Sequence, residues 1–187
     1  MKNLIKHLSQ STGVTLIEVL VVILILGIIL GMSIPNYNIV RERARVSAQK
    51  MNMYNVAQVI EYFHAERGYY AEDFYEDEYG SYFPGGDPYA NPPLMGKLPR
   101  NPWTGLNLEP DEFNPDWYER AEDVSNTELF GPNDEDGYEA GEMRYAVWYP
   151  PGANRPQLWG LIGMDRNGRS IREFSAEGEL IIFVLHN

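Results

Sequence analysis

Residues 13–35 read GVTLIEVLVVILILGIILGMSIP, and the fold turns on this stretch. From Leu16 to Ile34 there are 19 residues whose apolar run is broken only by Glu18 and Ser33. That is close to the roughly 20 residues that carry a helix across a bilayer. No other segment of the chain approaches this length. The alternative is a cleaved secretory signal, whose apolar region runs about 7–15 residues and ends in small residues. Gly31-Met32-Ser33 imitates such an ending, but the run is longer and Pro35 follows closely. A retained helix, membrane-spanning over about 16–34, is the expectation.

Glu18 is the odd residue in this helix. A carboxylate within an apolar membrane stretch costs about 2–3 kcal/mol and needs a partner. No Lys, Arg or His lies within helical reach. Cleavage after Gly13 would create an α-amine on Val14, four positions upstream and cationic with a pKa of about 7.7–8. The alternative is a Glu solvated at headgroup level.

Gly13-Val14-Thr15-Leu16-Ile17-Glu18, with Lys2 and Lys6 before it and the apolar helix after it, resembles the processing motif of type IV pilins and pseudopilins. Gly27, Pro35 and Tyr37 fall where many members carry Gly, Pro and Tyr, whereas Val14 departs from the usual Phe. The resemblance implies a leader at 1–13, cut off after Gly13 by a prepilin peptidase that methylates the new amine of Val14. It implies that Glu18 aligns each incoming subunit with its neighbour's amine. It further implies a cytoplasmic leader, a single pass of the inner membrane and a periplasmic or extracellular head. Charges flanking the span do not decide orientation, because Arg41, Arg43, Arg45 and Lys50 follow it. The implied partners are other copies in a helical filament, minor pilins or pseudopilins, an inner-membrane assembly platform, and membrane lipid before assembly.

Past Pro35 the helical signal becomes amphipathic. Ile39, Val46, Met53, Val56, Ile60 and Phe63 form a stripe at helical spacing, and Gly68 after Arg67 reads as its stop. The pattern predicts a helix over 14–68, roughly 80 Å at 1.5 Å per residue. Gly27-Ile28-Ile29-Leu30-Gly31 is a small-x-x-x-small pattern that lets membrane helices approach closely. Pro35 removes the hydrogen bond to the Gly31 carbonyl, and it reads as a joint in the helix.

The remainder, 69–187, reads as a globular head. From Ala71 to Glu142 there are 19 Asp or Glu against Lys97, Arg100 and Arg120. This acidic region, rich in Pro, Gly and aromatics, predicts short helices and turns near Tyr79–Tyr82, Pro115–Ala121 and Asn126–Phe130. Strand signals follow at Met143–Tyr149, Gln157–Met164 and Leu180–Leu185, separated by turn residues. They predict an antiparallel sheet over 143–187 against the helix stripe, hence an α+β, pilin-like fold.

Leu98-Pro99-Arg100-Asn101-Pro102-Trp103-Thr104-Gly105, the turn Gly163–Gly168 and Tyr69-Tyr70 resemble segments of type II secretion major pseudopilins. In that family a calcium site takes the place of the pilin disulfide. This chain has no cysteine. Asp134 and Asp136 about Gly137, and Asp165 and Asn167 about Gly168, are the candidate calcium ligands. Calcium takes 6–8 oxygens, which neither segment supplies alone, and such turns are common without metal.

Acids outnumber bases 27 to 15, which argues against nucleic acid as a partner. No G-x-S-x-G, H-E-x-x-H or phosphate-cradling glycine loop is present, so catalysis is not expected. Three readings follow. The first is a filament subunit of a type IV pilus or type II secretion pseudopilus. The second is a minor or competence pilin that binds a ligand, and the third a membrane-tethered enzyme or binding protein.

Overall fold

The computed structural model describes residues 13–31 and 37–187; residues 32–36 enter only as part of the helix running through them. Helix α1 spans Leu16–Arg67. The chain divides into two units, Met1–Glu42 and Arg43–Asn187.

In the first unit every large apolar side chain from Leu16 to Leu30 is exposed, Leu16 by 78%. A continuous apolar surface of this kind needs lipid or another protein to cover it. The described apolar part, Leu16–Gly31, is about 24 Å of helix. Among the described residues no helix is long and apolar enough to cross a membrane. The end of the expected span, and the joint expected at Pro35, lie outside the described residues. Ile39, read as the start of the buried stripe, is 53% exposed.

In the second unit the stripe does bury. Met53, Val56, Ile60 and Phe63 are at most 1% exposed and pack with Phe74, Tyr79, Phe113, Tyr145, Val147 and Leu161 in one core. Helix α1 ends where Gly68, at φ 77°, donates its N–H to the His64 carbonyl at 2.8 Å. Glycine reaches this left-handed conformation without a Cβ penalty.

The sheet has four strands in the order β1-β2-β3-β6. These are β1 (Asp116–Tyr118), β2 (Met143–Trp148), β3 (Leu158–Gly163) and β6 (Val184–His186). Strand β2 runs antiparallel to β3 from Met143↔Gly163 to Trp148↔Leu158, and β3 pairs antiparallel with β6. Strand β1 pairs parallel with β2. A separate hairpin joins β4 (Arg172–Phe174) to β5 (Leu180–Ile182). The fold is α+β, a helix packed on a mostly antiparallel sheet.

Two local expectations change. The terminal strand is not continuous, because Phe183 interrupts it. Phe183 is 8% exposed and donates its N–H to Ile171 at 2.8 Å, so 180–182 pair with β4 while 184–186 pair with β3. The segment 115–121 holds β1 rather than a short helix. As expected, Tyr79–Tyr82 is a short 3-10 helix and a turn closes near Phe130, where the Gly131 N–H meets the Glu128 carbonyl; a further 3-10 helix lies at Ala121–Ser125.

Sheet and loops meet without room for a methyl group at Gly160 on β3. A Cβ there would lie 2.0 Å from the Val124 carbonyl oxygen. Gly160→Ala must push β3 away from the 121–125 turn, a change of overpacking type costing about 3 kcal/mol. Thermal unfolding should show a melting temperature lowered by several degrees. An unchanged value would mean that the turn is not packed on the strand.

Candidate functional site

Helix α1 begins with a reciprocal cap. Thr15 is the N-cap and Glu18 the third helical residue. The Thr15 N–H and hydroxyl each donate to Glu18 Oε2 at 2.9 Å, and the Glu18 N–H donates to Thr15 Oγ1 at 3.3 Å. The Thr-x-x-Glu spacing is the capping-box pattern, which satisfies amides left open at a helix start. Glu18 thus has a partner within its own chain, an amide and a hydroxyl rather than a cation.

Around this cap, Val14, Ile17, Glu18, Val21 and Val22 line a groove of about 460 Å³. One carboxylate faces out among aliphatic side chains. Val14 is 76% exposed. Gly27 and Gly31 have open space where a Cβ would stand, so the helix surface is bare at both positions. Such a surface admits a neighbouring helix backbone at short range.

The acidic segments of the head are drawn together by arginines. Ser170 donates its N–H to the Glu135 carbonyl at 3.3 Å and its hydroxyl to the Asn133 carbonyl at 2.8 Å. Asp134 pairs with Arg172 at 2.9 Å, and Asp136 with Arg169 at 3.1 Å. Asp165 Oδ1 instead accepts from the N–H groups of Asn167 at 2.6 Å and Arg169 at 3.2 Å, closing its own turn. Burial alone would raise the Asp134 carboxyl; the Phe130 N–H and Arg172 bring it below its ordinary value. With the folded value depressed, this contact stabilises the head above the ordinary Asp range and is lost as pH falls through the lowered value.

Arg144 holds the same loop from beneath. It is 2% exposed, pairs with Asp116 and with Glu135 at 2.9 Å, donates to the Pro132 carbonyl at 3.0 Å and lies over the Tyr118 ring. Arg144 is buried while Asp116 and Glu135 stay partly exposed, so removing either acid leaves a buried guanidinium with one partner fewer.

Among the described residues no group of three or more His, Cys, Asp or Glu is placed to hold a metal ion. The carboxylates of Asp134 and Asp136 already face arginines, and calcium would have to displace them. Melting temperatures in calcium and in chelator should therefore agree. A rise with calcium would show a cation bound to the folded state and favour the metal at these segments.

No match to the chain was found among curated proteins or among solved structures. One family model does match: residues 8–34 fit the prokaryotic N-terminal methylation motif. The matched span holds Gly13, Val14, the Thr15–Glu18 cap and both bare glycines. The chain carries the prepilin cleavage signal of type IV pilins and pseudopilins.

Proposed function

We propose that the protein is a structural subunit of a type IV pilus-like filament or a type II secretion pseudopilus, working by assembly rather than catalysis. The observation that carries this reading is the methylation motif at residues 8–34, which holds Glu18 within an exposed apolar helix. In this account a prepilin peptidase cuts after Gly13 and methylates the Val14 amine. Before assembly the apolar residues from Leu16 onward lie in the inner membrane, with the leader cytoplasmic and the head on the far side. On assembly the helices leave lipid for one another, and Gly27 and Gly31 set how closely they approach.

Glu18 gives the step its register. In the single chain its carboxylate is held by Thr15, a residue that survives cleavage. In a bundle of apolar helices a better partner arrives, the ammonium on Val14 of the preceding subunit. Opposite charges attract strongly in so poor a dielectric, and an unmatched one is expensive. Docking is favourable only at the axial position that brings the two together.

Glu18→Ala and Glu18→Gln should leave cleavage and membrane insertion intact. Each should reduce filaments more than a hundredfold, since breaking a buried pair costs about 3–5 kcal/mol. Filament yield by shearing and sedimentation reads the effect. Normal filaments from the Gln variant would show that the charge is dispensable.

A further inference from the structure

The head presents one aromatic side chain almost wholly to solvent. Phe130 is 96% exposed, and its backbone lies in the left-handed region at φ 65°. That conformation is unfavourable for a bulky residue, and strain of this sort persists where the surroundings enforce it. Here they do. The Phe130 N–H donates to Asp134 Oδ2 at 3.0 Å, Asp134 is fixed by Arg172, and the Gly131 N–H closes on the Glu128 carbonyl at 3.1 Å. The loop is built to hold out an apolar side chain that contributes no burial to its own fold.

The same unit carries a cleft of about 530 Å³ between helix α1 and the loop that follows Tyr82. Val59, Tyr62, Tyr82 and Phe83 supply its apolar lining, and Tyr62 is 61% exposed. Asn55 and Gln58 place amides at its edge, suited to the polar backbone of an entering loop. Lys97 lines the cleft, is exposed, and has no ion pair among the described residues. Glu128, two residues before Phe130, is likewise exposed and has no ion pair among the described residues.

We infer that Phe130 of one copy inserts into this cleft of the next copy, with Glu128 meeting Lys97. Phe130 does not line the cleft, so the proposed contact joins two different parts of the chain and, repeated head-to-tail, propagates along a filament. Charge complementarity fixes which way the loop enters. The contact is small, and in a filament it acts beside the helix packing, where tethering raises its effective strength. The inference rests on the filament reading and adds the contact between heads.

The absence of native cysteine permits a direct test in assembled filaments of the full chain. Thr127→Cys and Gln58→Cys in one chain, which leave Glu128 and Lys97 in place, treated with a short bis-maleimide, should yield a ladder of linked subunits, and each single variant should yield none. Phe130→Asp should lower filament yield about tenfold, consistent with a charge buried in an apolar socket. Its melting temperature should be unchanged, because the side chain packs on nothing at home, and Phe130→Leu should retain filaments. Filaments that form without a ladder, or that tolerate Phe130→Asp, overturn the docking and leave the filament reading intact. A wild-type chain that makes no filaments overturns both.

Discussion

A carboxylate set in an apolar helix must be neutralised, and the first unit is organised around that requirement. Glu18 stands among Val14, Ile17, Val21 and Val22, with thirteen large aliphatic side chains exposed between Leu16 and Leu30. In a single chain Thr15 supplies two donors to one carboxylate oxygen, enough to hold the group but not to cancel its charge. In the proposed filament, the remaining charge is what an assembling neighbour uses. A fully apolar helix would associate at many registers, whereas one with a single unmatched charge favours few.

The head solves a different problem, holding a long acidic region in place without cysteine. The large core joins α1, β2 and β3 to apolar residues of that region itself, Phe74, Tyr79 and Phe113 among them. Over it, arginines serve as fasteners: Arg144 from β2, Arg169 after the 165–168 turn and Arg172 from β4 each reach an acid in 116–136. Excess negative charge thus becomes the means by which the loops are tied down. What is left over stays exposed, as in Glu128, where it is available to a partner.

Much of this was legible from residue patterns. The stripe Met53-Val56-Ile60-Phe63 buries because helical periodicity places those positions on one face, and Gly68 ends the helix because glycine alone enters the left-handed region cheaply. Strands β2 and β3 announced themselves by β-branched and aromatic residues. The split at Phe183 did not, since an unbroken apolar run is compatible with one strand or with a change of sheet. Strand β1 is three residues long and has no period to read. The capping box is present in the sequence as Thr15-x-x-Glu18, whereas a lone carboxylate in an apolar run points first to a cation as its partner. Arg144, a charge inside an otherwise apolar strand, was the available hint that a buried ion pair lay beneath the acidic loop.

In the filament reading, the group that neutralises Glu18 is a cationic amine on Val14, four positions before it in the chain. Intact-mass and N-terminal mass spectrometry of the protein from its native membrane tests this most directly. The mature chain should begin at Val14 with a methylated α-amine. A mature chain that retains residues 1–13, or begins elsewhere, would contradict it.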